Sequence, residues 1–308
     1  MPVQVALTGG TGFIGACLLK TLTDAGIRVK SLTRKPLQNT PQITWVRGDL
    51  NQPDSLQALC KDCSVIIHCA GRVRGNNPDD FLHSNLHGTR NLVNAAQSHP
   101  TPSRFLFISS LAARQPDYSW YAQSKYQAEQ YLQAAALAPP VTIFRPSAVY
   151  GPGDKEMQPL FKGMKRGWLV APAAVHSRLS LLHITDLAAA VMLWLQNDAV
   201  SGLYELDDGT DNGYGWDDLL RIGEQVWRRR IRKLPVPVGL LRGAARINLY
   251  MARLLRYPAM LTPGKINEIT HPDWVCDNDK LTKQTGWVPQ IRLADAIDAA
   301  TVAQPTLQ

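Results

Sequence analysis

Tyr121 and Lys125 stand four residues apart in Trp120-Tyr121-Ala122-Gln123-Ser124-Lys125. The stretch from Trp120 to Leu137 reads as a helix, so the two side chains share a face. A free tyrosine, with a pKa of about 10, is a poor acid–base catalyst at neutral pH. A neighbouring ammonium favours the phenolate and lowers that value. The phenol can then exchange a proton with an alcohol or carbonyl oxygen. Ser110 follows the strand candidate Phe105-Leu106-Phe107-Ile108 and can hydrogen-bond the same oxygen. A nicotinamide ring would exchange the hydride. Tyr-x-x-x-Lys alone also describes an ordinary surface pair. Its place between two strands, soon after Ser109-Ser110, is what points to redox chemistry.

Such chemistry needs a dinucleotide site, and Thr8-Gly9-Gly10-Thr11-Gly12-Phe13-Ile14-Gly15 is a candidate. It follows the short apolar strand Val3-Gln4-Val5-Ala6-Leu7 and precedes a helix beginning near Ala16. Glycines at 9, 12 and 15 permit a tight turn and close approach to a pyrophosphate, and the helix N-terminus offers N–H groups to the anion. A glycine turn in isolation would equally suit a flexible βα loop; the strand and helix around it favour phosphate binding.

Ile27-Arg28-Val29-Lys30-Ser31-Leu32-Thr33 reads as a second strand, ending in Arg34-Lys35. An acidic residue here would bind the adenine ribose. Two cations stand there instead, which favours NADP over NAD; a solvated basic loop is the plainer alternative. Further strands are Ile43 to Arg47, Val65 to His68, Phe105 to Ile108 and Val141 to Phe144, with a helix from Asp79 to Ala96. Strands alternate with helices, and four of them are near-continuous apolar runs. Both features predict a doubly wound, Rossmann-type α/β fold with a parallel sheet covered on both faces. Strand ends from Gly9 to Ser147 then line one edge, where ligands bind.

The predicted domains are a dinucleotide-binding domain over 1–150 and a smaller, intertwined C-terminal substrate domain over 151–308, with segments near 178–230 returning to the first. Past Tyr150-Gly151-Pro152-Gly153 the alternation lapses. Leu181 to Ile184 reads as a strand, Asp186 as the cap of a helix from Leu187 to Leu195, Leu203 to Leu206 as a strand, and Gly215 opens a helix to Arg229. His183 stands alone and reads as structural. Residues 238–257 read as an amphipathic helix. Arg242, Arg246, Arg253 and Arg256 fall within an arc of about 80°, and Leu240, Ala244, Ile247, Met251 and Leu254 face away from them. A solvated helix covering the substrate domain fits this pattern; so does a surface for anionic membrane lipid or a hydrophobic substrate.

The chain of 308 residues has a formal charge of +8 and ordinary apolar content, 45%. No nucleic-acid motif accompanies the charge, and a phosphate-rich cofactor accounts for part of it. No apolar run spans a bilayer, and a strand begins directly at the N-terminus, so a cytoplasmic protein is expected. The five cysteines have no framework spacing. Cys60-Lys61-Asp62-Cys63 is formally a C-x-x-C, but no second pair or histidine cluster joins it. Helix-end packing is favoured over a zinc or redox role, and no metal is expected.

Together these segments resemble the extended short-chain dehydrogenase/reductases of the broad NAD-dependent epimerase/dehydratase superfamily. The similarity runs through Thr8–Gly15, Gly48-Asp49-Leu50, His68-Cys69-Ala70-Gly71, Asn85-Leu86-His87-Gly88-Thr89, Ile108-Ser109-Ser110, Tyr121 with Lys125, and Arg145-Pro146 with Val149-Tyr150-Gly151-Pro152. It continues in Leu182 to Leu187 and Thr285 to Pro289. The resemblance implies that Gly9, Gly12, Phe13 and Ile14 meet the pyrophosphate and Asp49 and Leu50 the adenine. Ala70, Gly71, Ser109, Tyr121, Lys125 and Val149 would line the cofactor, with Arg34 at its ribose end and Pro146 near the nicotinamide. Ser110, Tyr121 and Lys125 would be catalytic.

Dehydratases of the superfamily carry an Asp-Glu pair after the catalytic hydroxyl; here Leu111-Ala112 follows Ser110. Leu261-Thr262-Pro263-Gly264-Lys265 and Asp273 to Asp277 are similar to the hydroxysteroid dehydrogenase and dihydroflavonol reductase-like branch, which handles bulky, often apolar substrates. The expected activity is therefore an NADP-preferring interconversion of a secondary alcohol and a ketone or aldehyde, with NAD as the other cofactor. A nucleotide-sugar epimerase and a non-catalytic NADP-binding regulator are the alternatives. The expected partners are a small-molecule substrate and, as for family members paired through the helix bearing Tyr121, a second copy of the chain.

Overall fold

In a computed structural model that describes residues 3–99, 103–135 and 140–301, the chain opens with strand β1 (Gln4–Thr8), helix α1 (Phe13–Asp24) and strand β2 (Arg28–Thr33). β3 (Ile43–Arg47), α2 (Pro53–Cys60), β4 (Val65–His68), α3 (Pro78–Leu82), α4 (Gly88–Gln97), β5 (Arg104–Ile108), α5 (Trp120–Ala134) and β6 (Val141–Pro146) follow. Strands β1 to β6 are joined by parallel pairings in the order β3-β2-β1-β4-β5-β6. That order reverses between β1 and β4, the point where dinucleotide folds bind their ligand.

Burial explains why these segments are strands. Val5, Ala6 and Leu7 of β1 and Ile66 and Ile67 of β4 are wholly inaccessible, and every residue of β5 is buried. A core on the sheet joins Leu56, Leu59, Leu92, Val93, Phe105, Phe107 and Leu132. Cys60 and Cys63 lie in that core as free thiols, and Cys63 Sγ donates to Leu59 O. Burial pushes Cys60 up to about 12 and Cys63 to about 11, so both are protonated packing residues.

The chain continues through β7 (Ala148–Tyr150), α6 (Gln158–Lys165), β8 (Trp168–Pro172), β9 (Arg178–Leu179), β10 (Leu181–His183), α7 (Ile184–Gln196) and β11 (Gly202–Leu206). β11 lies beside β6 and completes a seven-stranded sheet. Then come α8 (Trp216–Trp227), β12 (Arg232–Val236), α9 (Val238–Leu255), α10 (Pro263–Thr270), β13 (Asp273–Trp274), α11 (Asp279–Thr285) and α12 (Leu293–Ala296). Two compact units result: Met1–Arg145 with Ala188–Tyr204, and Pro146–Leu187 with Glu205–Gln308. In the first, Arg104 ties α7 to the sheet, donating to Leu195 O at 3.0 Å while its guanidinium lies 4.1 Å over the Trp194 ring. The second has its own core around Tyr150, Phe161, Leu181, Tyr214, Leu219 and Leu293.

Four expectations need correction. The helix expected from Asp79 to Ala96 contains a π-helical turn at His83–His87, where one extra residue per turn is accommodated. α5 ends at Ala134, with Ala135 its cap; the last residues of the expected helix, 136 and 137, lie outside the described residues. Asp186 does not cap a helix: α7 starts straight from β10 at Ile184, and Asp186 Oδ2 instead accepts the N–H groups of Gln290 and Ile291, at 3.1 and 2.9 Å. α8 stops at Trp227 because Arg228 turns into the left-handed region, φ 48°.

Candidate active site

The glycine turn is a close-packed cradle. Gly9 has φ +78°, and a Cβ there would lie 2.7 Å from Ala70 N on β4's exit. A Cβ on Gly15 would lie 2.0 Å from Gly9 O, and one on Gly10 would lie 2.2 Å from Ser31 Oγ. Gly12 differs: its Cβ would meet only Gly9 O, at 3.2 Å, and otherwise point into open space. Gly12 is also the N-cap of α1 and supplies no side-chain cap. The first-turn N–H groups of Phe13 and Ile14 thus have no partner inside the helix. A side chain is excluded behind this turn and space is left in front of it, as an approaching pyrophosphate requires. Gly10 was absent from the expected contacts; the Gly-Gly doublet was its sequence signal.

A buried hydrogen-bond relay holds the cradle. Ala70 N–H donates to Thr8 Oγ1 at 3.1 Å, and Thr8 Oγ1 lies 2.6 Å from His68 Nδ1. On the other side His68 Nε2 lies 2.9 Å from Thr89 Oγ1, which donates to Asn85 O at 2.5 Å. Because the Thr89 proton goes to Asn85, Nε2 carries the imidazole proton and Nδ1 accepts from Thr8. Burial, aided by the Lys125 ammonium, holds His68 down at about 3, so the ring is neutral. It stacks on Phe107 at 5.4 Å.

At β2's end Arg34 and Lys35 are both exposed, and Thr33 Oγ1 accepts from Lys35 N–H at 3.1 Å, which fixes the turn. Asp49 and Leu50 are half-buried; Asp49 Oδ1 accepts from Asn51 N–H, and Leu50 packs so close to Gly88 that a Cβ there would lie 2.7 Å from its Cδ1.

Lys125 is buried on α5. Its Nζ donates to Ile108 O at 2.7 Å and lies 4.2 Å from the centre of the Phe107 ring. A Cβ on Gly71 would come within 3.7 Å of the same Nζ and 3.2 Å of Asn85 Oδ1. Gly71, Asn85 and Lys125 therefore meet at one point. Burial holds Lys125 down at about 8; charges on Cys69 and Glu129 oppose that shift. Burial pushes the Cys69 thiol up to about 12, so Glu129 is the anion that acts on Lys125 at neutral pH. Tyr121 lies one helical turn before Lys125, half-buried, with Phe81 6.5 Å from its ring. Ser119 caps the helix, accepting from Ala122 N–H at 3.0 Å.

The two serines after β5 part company. Ser110 is half-buried and caps the short 3₁₀ turn Leu111–Arg114 by accepting from Ala112 N–H at 3.2 Å. Ser109 is buried, and its hydroxyl donates to Glu129 Oε1. Glu129, fully buried, is held by Arg145 in a two-point ion pair, Nε to Oε1 at 3.0 Å and Nη2 to Oε2 at 2.6 Å. Glu129, Asn85 and His68 were not expected as site residues. Asn85 sits in the π-helical turn, where its side chain closes on Arg72, accepting its N–H at 2.7 Å and donating to its O at 3.0 Å, and donates to Ser124 Oγ at 2.8 Å. Pro146 is the last residue of β6, and Val149 lies on β7 beside Leu182 in the second unit. Among the described residues no cluster of His, Cys, Asp and Glu suits a metal ion.

Residues 5–206 match the model of the NAD dependent epimerase/dehydratase family. A ceramide reductase of Caulobacter vibrioides is 35% identical over 276 residues, 88% of this chain and 85% of that protein. A UDP-glucose 4-epimerase of Vibrio cholerae is 29% identical over 271 residues, 77% of this chain and 80% of that protein. The solved structure of MoeE5 in complex with UDP-glucuronic acid and NAD shares the fold, with a TM-score of 0.74 at 20% identity over 97% of each chain.

Proposed function

We infer the activity from one premise, that the chain belongs to the NAD dependent epimerase/dehydratase family. Within it, we propose an oxidoreductase that interconverts a secondary alcohol and a ketone or aldehyde on a bulky, lipophilic substrate, with NADP preferred. The observation that carries the chemistry is the meeting of Lys125 Nζ, Gly71 and Asn85 one helical turn from Tyr121. The ceramide reductase relative, 35% identical, supports a lipid carbonyl as substrate.

The residues present suit a nicotinamide dinucleotide. Gly9, Gly12, Phe13 and Ile14 would hold its pyrophosphate, Asp49 and Leu50 its adenine, and Ala70, Gly71 and Ser109 its nicotinamide half. When bound, that group supplies or accepts the hydride. Tyr121 gives its phenolic proton to the carbonyl oxygen during reduction and takes it back during oxidation. Lys125, anchored on Ile108 O, stabilises the phenolate left behind. Ser110 orients the same oxygen. Glu129 keeps the lysine charged against the pull of burial. Leu111 and Ala112 occupy the 3₁₀ turn after Ser110, and neither can serve as the acid or base that elimination of water needs.

Tyr121→Phe tests this reading. Turnover of lipophilic ketones should fall to background while NADPH still binds; retained turnover would remove Tyr121 from the mechanism. A nucleotide-sugar epimerase is the second reading, favoured by the Vibrio cholerae relative. It requires interconversion of UDP-sugars by the purified protein with no net use of cofactor.

A further inference from the structure

Helix α9 is amphipathic in an unusual sense, because its apolar stripe points outward. The side that packs is narrow and made of Ala245, Leu249 and Ala252, all buried. It lies along α10, with Asn248 donating to Leu261 O at 2.8 Å and Arg242 reaching Asn267 at 3.5 Å. On the opposite side Leu240, Ile247 and Leu254, seven residues apart, are 66%, 67% and 63% exposed. At 100° per residue the three fall within an arc of about 40°. Thirteen large hydrophobic residues stand exposed among the described residues, and seven of them lie between Leu240 and Tyr257. Scattered exposed apolar residues need no explanation, but a concentration on one helix marks an interaction face.

The charge around this face selects what it meets. Between Arg228 and Asn267 the chain has ten lysines and arginines and no aspartate or glutamate. Arg242, Arg246 and Arg253 are exposed and lie about 120° round the helix from the outward stripe, between it and the packed side. Tyr250 and Tyr257 add amphipathic rings, a residue type that favours the level of lipid headgroups. β12 leads into α9 through Pro237, and its pair with β8 leaves Trp168 and Val170 exposed, with Arg232 5.5 Å over the Trp168 ring. No helix among the described residues is long and apolar enough to cross a membrane. An exposed apolar stripe of about 21 Å with arginines to one side instead suits a helix lying in the interface.

We propose that the outward face of α9 docks on the surface of an anionic lipid bilayer. Its apolar stripe enters the headgroup boundary and its arginines contact lipid phosphates. Docking does not depend on the proposed activity, since it is read without turnover. The test is flotation of the full chain with vesicles of phosphatidylcholine alone or mixed with phosphatidylglycerol, alongside hydrogen–deuterium exchange. The chain should float with the mixed vesicles only, less so as salt rises, with α9 protected from exchange. Arg246→Gln and Arg253→Gln should each lower partitioning about fivefold. The pair Ile247→Ser with Leu254→Ser should lower it more than about tenfold. Equal partitioning to both vesicle types, or α9 unprotected on wild-type protein, overturns the proposal whatever the variants do. So does a wild-type dimer that the Ile247→Ser, Leu254→Ser variant dissociates, since the face would then cover a second copy of the chain.

Discussion

The ammonium of Lys125 is anchored 2.7 Å from the main-chain oxygen of Ile108, the last residue of β5. Sheet and helix are thereby joined by a buried charge. Its folded-state pKa of about 8 lies below the ordinary lysine value of 10.5, mainly through burial. In that window the unfolded chain binds more protons, so stability rises as pH climbs from about 8 to 10.5. Below about 8 the folded state carries the whole penalty, roughly 3 kcal/mol. Lys125→Met removes it but leaves Ile108 O unpaired, a loss of about 1 kcal/mol. The variant should therefore be inactive yet more stable than wild type at pH 7 by about 2 kcal/mol. Urea titrations at pH 7 and 10.5 check this. A stability difference that does not change between them would place the charge in a better solvated site.

Glu129 and Arg145 form a second buried charge arrangement, with Glu129 fully inaccessible. Breaking such a pair on one side leaves a buried charge uncompensated, at a cost of about 3–5 kcal/mol. Glu129→Gln should lower stability by that order. Glu129→Gln combined with Arg145→Met should recover part of it, because no lone charge is then left inside. The readout is a double-mutant cycle in urea. Purely additive losses would mean that the pair contributes no coupling.

These two arrangements also mark where sequence reading stopped. The runs Val65-Ile66-Ile67 and Phe105-Leu106-Phe107-Ile108 read as buried strands because strands covered on both faces need continuous apolar residues. The turn from Thr8 to Gly15 was legible because its glycines are forced by close backbone approach, as at Gly9 and Gly15. Glu129 carried no such sign. A glutamate four residues after a lysine on a helix ordinarily faces water, and only the fold brings Arg145 to it. The π-helical turn at His83–His87 depends on one extra residue in a helical run, which composition does not register. For α9 the periodicity separated two faces but not which one turns inward; packing against α10 decides that.

His68 makes a separate prediction. Its pKa, held at about 3 by burial, lies below the ordinary histidine value of 6.5, so the unfolded chain binds the extra proton between those values. Stability should fall as pH drops from about 6.5 toward 3. His68→Phe keeps a ring against Phe107 but strands the hydroxyls of Thr8 and Thr89, at roughly 1–3 kcal/mol each. The variant should be less stable than wild type at pH 7, with a difference that narrows at pH 5. A difference that widens at pH 5 would mean that the folded protein charges this ring.

The proposed preference for NADP rests on Arg34. This residue is exposed at the end of β2, beside Lys35, with the turn pinned by Thr33, and no carboxylate stands there for a ribose diol. A 2′-phosphate would meet two cations, and a charge-assisted contact of this kind contributes about 1.5–3 kcal/mol. Calorimetric titration should find NADPH bound more tightly than NADH. Arg34→Ala should weaken NADPH by about tenfold or more and leave NADH nearly unchanged. Salt should erode the NADPH advantage, because the contact is exposed and screened. Equal or tighter binding of NADH by wild type would assign the basic turn to solvent and remove the main reason to prefer a reductase with an exchangeable cofactor. The substrate screen would then begin with UDP-sugars rather than lipid ketones.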